Sequence, residues 1–384
     1  MPKAIVNGKG AKRIRQGHLW IYRSDVVRAE AEGGEVVSVF DEQEKFVGKA
    51  FFSDKSEITL RFISTKDETI NKEFWTRKIV EAAKRRKIEA ETNAFRLVSS
   101  EGDLIPSLII DNYAGNFVIQ TLSQGTEKLK DTFVEILREN FDVISITERN
   151  DVKIRELEGL EQVKGVLFGE LADEIIIEQD GIKFYVSLLK GQKTGSFLDQ
   201  RENHFAARKY AFGKALDCFT FNGGFALNMS ETCESVTAID ISVEAVKLGK
   251  RNAELNDIKN VKFTTANVLD KLRELEISGQ KFDTIVLDPP AFVKSRSAIT
   301  QAIRGYKEIN LRALKLLNRN GILITCSCSF HFNEDMFLEV VEEAAEQTRK
   351  RVQLLEKRMQ SIDHPILLGM PESYYLKCFI LRVI

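Results

Sequence analysis

The stretch KALDCFTFNGGFAL, residues 214–227, runs from an apolar segment through a glycine-containing turn into a second apolar segment. Asp217 marks the end of the predicted strand, and Gly223 and Gly224 open the predicted helix that follows. Glycines at such a turn let the backbone approach a ligand closely. The turn does not follow the G-x-G-x-x-G pattern, and glycine pairs after strands are common. It therefore indicates a strand–turn–helix unit and, taken alone, only weakly indicates a ligand.

Strands alternate with helices from about residue 190 onward. Apolar strands are predicted in KALDCFT, SVTAIDIS, VKFTTAN, FDTIVLDPP and NGILITCSCS, with helices between them that include SVEAVKLGKRNAELN and EINLRALKLLN. This alternation is typical of a parallel, doubly wound α/β sheet, whose ligands lie at the carboxyl ends of the strands. We expect a long helix over roughly 334–358 and one more strand in SYYLKCFILRVI.

Two smaller domains are predicted before this region. Residues 1–72 contain the short β-rich runs EVVSVFD, FVGKAFF and EITLRFIS, which indicate a small β-barrel-like domain. Residues 73–189 mix helical and strand patterns and are predicted to form a central α+β domain. Within it, a Tyr-Ala-Gly-Asn turn joins two strands, and Asp180-Gly181 marks a hairpin. Residues 190–384 form the third predicted domain.

The composition excludes several classes of protein. With 43% hydrophobic and 29% charged residues, the 384-residue chain can bury cores and is not a disordered polymer. No run approaches the roughly 18 consecutive apolar residues of a membrane span, and the N-terminus does not resemble a secretory signal. Five cysteines without disulfide-framework spacing fit a reducing cytoplasm. Because 56 basic residues balance 57 acidic ones, any nucleic-acid binding must use a local basic patch.

The ends of the second and fourth strands point to a nucleotide cofactor and a planar base. Asp240 ends the second strand, where an acid can accept both ribose hydroxyls of an adenosine. Both NAD and S-adenosylmethionine contain an adenosine, so this acid does not distinguish between them. The fourth strand ends in Asp288, Pro289 and Pro290, followed at one remove by Phe292. Two prolines fix the chain rigidly, and an acid and a ring at the sheet edge could hydrogen-bond and stack a base. A NAD-dependent dehydrogenase has no use for this Asp-Pro-Pro-x-Phe motif, so the motif favours S-adenosylmethionine.

With these motifs, the chain resembles the RlmI family of 23S ribosomal RNA 5-methylcytosine methyltransferases over nearly its whole length. Four stretches carry the resemblance: GQKTGSFLDQREN (191–203), LDCFTFNGGFAL (216–227), VLDPPAF (286–292) and SCS (327–329). The first domain resembles that family's PUA RNA-binding domain, through KGAKRIRQGHLWIY, and VSSEGDLIPSLIIDNYAG resembles its central domain. The resemblance implies a Rossmann-like class I methyltransferase domain at residues 190–384.

The resemblance also implies the cofactor, S-adenosyl-L-methionine, and the residues that bind it. These are Lys193, Thr194, Gly195, Asp199, Gln200, Arg201, Asp217, Phe219, Gly223, Gly224, Asp240, Asn267 and Asp288. Asn267 stands where the family commonly has an aspartate against the adenine, and its amide can donate as well as accept. The expected base-binding residues are Pro289, Pro290 and Phe292, and no metal is expected.

The stretch GILITCSCSF, residues 321–330, places two thiols one residue apart at the end of the fifth strand. Carbon 5 of cytosine is a poor nucleophile until a thiolate adds to carbon 6. Cys328 occupies the family's Ser-Cys-Ser position and is the predicted nucleophile, with Asp288 hydrogen-bonding or protonating the ring. Cys326 is interpreted as a small core residue. A zinc site of Cys326, Cys328 and His331 lacks an obvious fourth ligand.

The predicted substrate is large-subunit ribosomal RNA, naked or partly assembled, since a structured cytosine must be flipped out to react. Two basic clusters are candidates for phosphate contacts: Lys9, Lys12, Arg13 and Arg15 near the N-terminus, and the run 84–87. No membrane partner is expected, and the resemblance suggests a homodimer. Two alternatives remain, namely a guanine-N7 or other RNA methyltransferase on the same scaffold and a non-catalytic RNA-binding ribosome assembly factor. A NAD-dependent enzyme is a distant third.

Overall fold

A computed structural model describes residues 2–86, 92–292 and 299–384. The chain divides into two compact units. The first comprises Met1–Ile177, Val186–Leu198 and Ile362–Ser373, and the second comprises Glu178–Tyr185, Asp199–Ser361 and Tyr374–Ile384. The domain boundaries predicted at residues 72 and 189 stay predictions.

A six-stranded sheet begins the first unit. Its elements are β1 (Lys3–Val6), α1 (Gly8–Arg15), β2 (Trp20–Tyr22), β3 (Val26–Glu30), β4 (Val36–Asp41), β5 (Phe46–Phe52) and β6 (Ile58–Ser64), and the strand order is β2-β6-β5-β4-β1-β3. The Asn7 side chain starts α1 by accepting from the backbone N–H of Gly10. Helix α1 buries Ala11 and Ile14, so its basic residues lie on the other faces.

A five-stranded sheet with three helices completes the first unit. Its elements are α2 (Lys72–Arg85), β7 (Ala94–Ser99), β8 (Leu108–Tyr113), β9 (Asn116–Thr121), α3 (Gln124–Lys128), α4 (Lys130–Asn140), β10 (Ser145–Asn150) and β11 (Val163–Gly169), in the order β11-β10-β9-β8-β7. Trp75 of α2 stacks on Phe51 of β5 with ring centroids 5.5 Å apart and meets Phe133 of α4 edge-on. These rings join the two sheets in one core.

The hairpin predicted at Asp180-Gly181 is confirmed. Strands β12 (Ile175–Gln179) and β13 (Ile182–Val186) pair with each other, and both turn residues have positive φ, 52° for Asp180 and 84° for Gly181. Two left-handed residues are what a tight two-residue hairpin turn requires.

The second unit contains the predicted doubly wound sheet. Its elements are α5 (Arg201–Tyr210), β14 (Gly213–Cys218), α6 (Gly224–Met229), β15 (Cys233–Asp240), α7 (Val243–Leu255), β16 (Val261–Thr265), α8 (Val268–Ile277), β17 (Phe282–Leu287), α9 (Ile299–Leu316), β18 (Leu317–Ser327), α10 (Glu334–Gln347), β19 (Val352–Arg358) and β20 (Lys377–Val383). The order is β16-β15-β14-β17-β18-β20-β19. Strands β14 to β18 are parallel, and β20 runs antiparallel to both of its neighbours.

The long helix predicted over roughly 334–358 is wrong in its second half. Helix α10 ends at Gln347, and Val352–Arg358 forms strand β19. Arg349 has a left-handed φ of 54°, which stops the helix. The sequence VQLLEKR is rich in helix formers, but pairing with β20 overrides this preference, and the charged residues suit an exposed edge.

The strand order reverses beside β14, because β15 lies on one side of it and β17 on the other. Such a switch point opens a crevice at the carboxyl ends of the strands. Below it, Leu216, Ile285 and Leu323 of three neighbouring strands are buried in one hydrophobic core with α8, α9 and α10. The packed core fixes the strand ends, where the predicted functional side chains stand.

Candidate active site

Four predicted functional residues stand at the carboxyl ends of four neighbouring strands. Asp240 is the last residue of β15, Asp217 is the penultimate residue of β14, Asp288 follows β17 and Cys328 follows β18. Because these strands are parallel and adjacent, their carboxyl ends meet at one edge of the sheet. The structure therefore brings the three acids and the thiol to one side of the second unit.

Asp217 is fully buried and only partly hydrogen-bonded. Its Oδ2 accepts from Thr220 Oγ1 at 2.5 Å and from the backbone N–H of Ala226 at 3.0 Å. Its Oδ1 has no hydrogen-bond partner among the described residues. Burial raises the pKa of Asp217 to about 7, and the charges of Asp288 and Asp240 add to this rise. A buried carboxylate oxygen without a donor fits a cationic ligand group, such as the ammonium of the methionine half of S-adenosylmethionine.

Asp240 is held by backbone donors on both of its carboxylate oxygens. Oδ2 accepts from the N–H of Phe221 at 2.9 Å, and Oδ1 accepts from the N–H of Ser242 at 2.8 Å. Each oxygen keeps a further lone pair, which fits the two hydroxyls of a ribose. Phe221 and the predicted site residue Phe219 both have left-handed φ angles, 49° and 66°. Strain of this kind in non-glycine residues often marks a functional loop.

The two glycines of the first turn have packing roles. Gly223 has a φ of +94°, which favours glycine. A Cβ on Gly224 would lie 2.4 Å from Cε1 of His204, because α6 and α5 touch there. His204 is half-buried and packs edge-on against Phe225, and its burial lowers its pKa to about 4. The approach of a ligand to these glycines stays a prediction.

Asn267 begins α8 as its N-cap. Its Oδ1 accepts from the backbone N–H of Asp270 at 3.3 Å, and the residue is exposed. With its oxygen turned to the helix, the amide offers its N–H₂ group to a ligand. The predicted contact with the adenine stays a prediction.

Gln200 is hydrogen-bonded to Asp288. Its Nε2 donates to Asp288 Oδ1 at 2.8 Å, while its Oε1 accepts from Asn203 Nδ2 at 2.7 Å. The second bond fixes which end of the amide faces the acid. Gln200 thus positions the carboxylate that follows β17, a role that its place in the sequence did not reveal.

The neighbours of Gln200 are engaged in contacts of their own. Asp199 Oδ2 accepts from the Tyr375 hydroxyl at 2.9 Å. Arg201 forms a buried ion pair with Asp180, at 3.1 and 3.2 Å. Both of these predicted cofactor-binding side chains therefore support the architecture of the second unit, and a direct contact of either with the cofactor stays a prediction.

Lys193, Thr194 and Gly195 belong to the first unit. Thr194 Oγ1 donates to Asp111 Oδ2 at 2.6 Å and lies 2.8 Å from the Tyr113 hydroxyl. Lys193 Nζ lies 4.5 Å from the centre of its neighbouring phenylalanine ring at residue 197. Gly195 has a φ of +148°. Their predicted contacts with the cofactor stay predictions.

The three predicted base-binding residues have different surroundings. Pro289 is buried, whereas Pro290 is exposed. The ring of Phe292 lies 4.8 Å from that of Tyr306 and packs against the core of the second unit. Of the three, Pro290 therefore has the most surface to offer a base.

Cys328 lies half-buried between two anchored serines. Ser327 Oγ donates to the Tyr306 hydroxyl at 2.9 Å, and Ser329 Oγ lies 3.2 Å from the same hydroxyl. Lys377 Nζ donates to the Ser329 carbonyl at 2.7 Å. These contacts hold the backbone on both sides of the thiol. Neither Tyr306 nor Lys377 was identified from the sequence, because only the packing of α9 and β20 against β18 brings them here.

Cys326 is confirmed as a core residue. It is fully buried in β18, directly opposite Cys378 of β20. Burial raises the pKa of the Cys326 thiol well above its usual value, and Cys378 adds to the effect. A thiol held in its neutral form is a poor nucleophile, so the burial of Cys326 argues against it as the nucleophile.

Within residues 2–86, 92–292 and 299–384, no group of three or more His, Cys, Asp or Glu side chains is arranged to hold a metal ion. None of the helices described in the structure is both long enough and apolar enough to cross a membrane.

Comparison with known proteins identifies the family. Residues 4–65 match the model of a PUA-like domain, and residues 212–367 match that of a methyltransferase domain. A protein of Tolumonas auensis named ribosomal RNA large subunit methyltransferase I is 39% identical over 385 residues, which cover 97% of each chain. A protein of Aliivibrio fischeri with the same name is 39% identical over 396 residues and the full length of both chains. The chain belongs to the ribosomal RNA large subunit methyltransferase I family.

Solved structures agree on the fold. A candidate SAM-dependent methyltransferase from Streptococcus mutans superimposes with a TM-score of 0.84 at 21% identity, over all of both chains. A further candidate methyltransferase, solved with S-adenosylhomocysteine, gives 0.86 at 21% identity over all of both chains. The predicted family, the predicted fold and the prediction of S-adenosyl-L-methionine as cofactor are confirmed.

Proposed function

We propose that this methyltransferase modifies carbon 5 of a cytosine in large-subunit (23S) ribosomal RNA, through a covalent adduct with Cys328. The name of the relatives supports the choice of RNA. The observation that carries the proposal is the position of Cys328, a half-buried thiol at the end of β18, one strand away from Asp288 at the end of β17. This arrangement suits a base whose carbon must be activated by a nucleophile.

The protein side chains divide the chemistry between them. S-adenosylmethionine supplies the methyl group from its sulfonium. The Cys328 thiolate donates its electron pair to carbon 6, and the ring electrons displaced by this addition make carbon 5 nucleophilic. Asp288 hydrogen-bonds the ring and favours the addition. Once carbon 5 is methylated, its proton leaves to water, the sulfur–carbon bond breaks and its electron pair returns to Cys328.

A nitrogen substrate would not need this thiol. An exocyclic amine or guanine N7 carries its own lone pair and can be methylated without a covalent step. A guanine-N7 methyltransferase on the same scaffold therefore gives no reason for a cysteine anchored on both sides at the end of β18.

Helix α1 offers two basic side chains to phosphates. Lys12 and Arg15 are exposed on it. Lys9 lies 3.7 Å from Asp25 and Arg13 lies 3.4 Å from it, so these two also serve the fold of the first unit. We assign Lys12 and Arg15 to phosphate contacts, which position an RNA without reading its sequence.

The second basic cluster, at 84–87, is less available. Arg85 pairs with Asp103 at 3.2 Å, and Arg86 pairs with the same carboxylate. Lys87 lies outside the described residues. The predicted homodimer and cytoplasmic location, and the preference for naked or partly assembled RNA, stay predictions.

A covalent trap tests the proposal. Large-subunit RNA transcribed with 5-fluorocytidine is incubated with enzyme and S-adenosylmethionine. Fluorine takes the place of the carbon-5 proton whose loss releases the thiol, so the adduct persists. We expect a protein–RNA adduct that resists denaturation in the wild type and disappears in Cys328→Ala. Cys233→Ala, which removes a buried thiol at the start of β15, is the matched control and retains the adduct.

Nucleoside mass analysis of unmodified RNA gives the second readout. We expect 5-methylcytosine from the wild type and the control, and none from Cys328→Ala. Methyl label on guanine, or label undiminished in Cys328→Ala, contradicts the proposal.

A further inference from the structure

Lys377 carries a buried positive charge beside the proposed nucleophile. It is the first residue of β20, stands opposite Ser327 of β18 and is 1% exposed. Its ammonium donates to two backbone carbonyls, that of Ser329 at 2.7 Å and that of Tyr375 at 3.0 Å. In the described part of the chain, no carboxylate lies within ion-pairing distance of it. A buried cation bound only by neutral carbonyls is costly unless a negative charge compensates it.

The neighbouring charges show what that compensation can be. Burial lowers the pKa of Lys377 to about 8, while a Cys328 thiolate and, to a smaller degree, Glu334 raise it. Glu334 itself accepts from Lys357 at 2.6 Å and from the Tyr374 hydroxyl at 2.9 Å. Its charge is therefore already shared with other donors. The thiolate is the remaining counterion.

We infer that Lys377 is a positioning residue that holds Cys328 as a thiolate, through its charge and through its hydrogen bond to Ser329. This inference rests on the proposed function. The ammonium has three N–H groups, and the two carbonyls take two of them. Cys328 loses its proton to solvent, and Lys377 stays protonated throughout. The same charge stabilises the thiolate again when it leaves carbon 6.

The other groups around the thiol do not replace this charge. The Tyr306 hydroxyl is bound by the two serines, and burial raises its pKa to about 12, so it remains neutral at physiological pH. Asp288, at the end of β17, is acidic and would oppose a thiolate. Lys377 is thus the cationic group that the described structure ties, through its hydrogen bond to Ser329, to the residue next to Cys328.

The test measures ionisation of the thiol apart from methyl transfer. The rate of alkylation by iodoacetamide is followed against pH in the full-length protein, with mass analysis of Cys328, since the other four cysteines are buried. In Lys377→Gln we expect the apparent pKa of the Cys328 thiol to rise by about one unit, and alkylation at pH 7 to slow about tenfold. Lys377→Arg keeps the charge and is expected to keep fast alkylation.

Lys350→Gln is the matched control. Lys350 also donates to a backbone carbonyl of β18, that of Leu317 at 2.7 Å, but at the opposite end of the strand. We expect its alkylation profile to match the wild type. Equal profiles for Lys377→Gln and Lys350→Gln would overturn the inference.

A measurement on the wild type avoids any folding defect of the variants. The Lys377 ammonium is titrated by nitrogen NMR before and after alkylation of Cys328. Removing the thiolate should lower the pKa of Lys377, and an unchanged titration would refute the pairing. If Cys328→Ala retained 5-methylcytosine formation while these shifts were present, the proposed function would fail and the thiolate–ammonium pair would stand.

Discussion

Gln200 Nε2 donates a 2.8 Å hydrogen bond to Asp288 Oδ1, which ties the start of α5 to the end of β17. A hydrogen bond to a charged group contributes about 1.5–3 kcal/mol. In Gln200→Leu we therefore expect kcat/KM for RNA methylation to fall at least about tenfold. Gln280→Leu, at an exposed glutamine before β17, should leave the rate unchanged. Equal rates for the two variants would mean that Gln200 does not position Asp288 for the reaction.

Asp217 predicts a pH dependence of stability. Its pKa is about 7 in the fold, against about 4 in an unfolded chain. Between these values the folded state keeps a proton that the unfolded state has lost. The free energy of unfolding should therefore decrease as the pH rises from about 4 to 7, and then level off.

Urea unfolding of the cofactor-free protein at pH 5 and pH 7.5 measures this effect. The wild type should lose stability relative to Asp217→Asn over that interval, because the amide does not titrate. Asp257→Asn changes an exposed acid with a left-handed φ of 56°, which asparagine tolerates, and should follow the wild type. Parallel behaviour of wild type and Asp217→Asn would argue against a raised pKa.

Tyr306→Phe isolates the hydroxyl that anchors both serines around Cys328. The ring and its stacking on Phe332, 4.8 Å between centroids, should survive, so we expect only about 1 kcal/mol loss of stability. Methylation should slow by about tenfold, because the thiol is less well positioned. Tyr210→Phe removes a hydroxyl bound to Glu356 and serves as control. A full methylation rate in Tyr306→Phe would show that the anchor is dispensable.

Cys326→Ala should separate the two thiols. Because Cys326 is fully buried against Cys378, we expect a loss of about 1 kcal/mol in the free energy of unfolding, with 5-methylcytosine formation retained. Thermal unfolding and nucleoside analysis of the same preparation measure both effects. Loss of methylation in a fully folded Cys326→Ala would contradict the separation of roles between Cys326 and Cys328.

Lys12→Ala combined with Arg15→Ala should weaken RNA binding through phosphate contacts alone. If both residues contact phosphates, the negative slope of log affinity against log salt concentration should become shallower by about 1.5. Binding to unrelated RNAs should weaken by a similar factor. Lys259→Ala with Lys262→Ala removes two exposed charges of the second unit and controls for net charge. An unchanged slope would show that Lys12 and Arg15 of α1 do not contact RNA phosphates.

Local sequence patterns predicted the strands of the second unit and the residues at their ends, because apolar runs and their terminal acids are contiguous in sequence. Asp217, Asp240, Asp288 and Cys328 could therefore be named from the sequence alone. Their partners could not. Thr220, three residues after Asp217, binds that acid through a local turn. Tyr306 and Lys377 bind the serines on either side of Cys328 only because distant elements pack there.

The one wrong element and one unpredicted contact have the same origin. The helix-forming composition of VQLLEKR hid strand β19, which forms only because β20 is beside it. The sequence around Gly224 gave no sign that His204 of α5 packs against this glycine. In both places the deciding contact comes from a separate element.

The position of β20 between β18 and β19 constrains how the second unit folds. Among the described strands, β19 pairs only with β20, although β19 comes before β20 in the sequence. Strand β19 therefore cannot pair until β20 is available. The pairing of β18 with β20 must also close a long loop. That closure also delivers Lys377 to its place beside Cys328. During refolding, the hydrogen bond from Lys377 to Ser329 should therefore form last, after the parallel strands, so that a partly folded chain lacks the charge that we propose keeps Cys328 ionised.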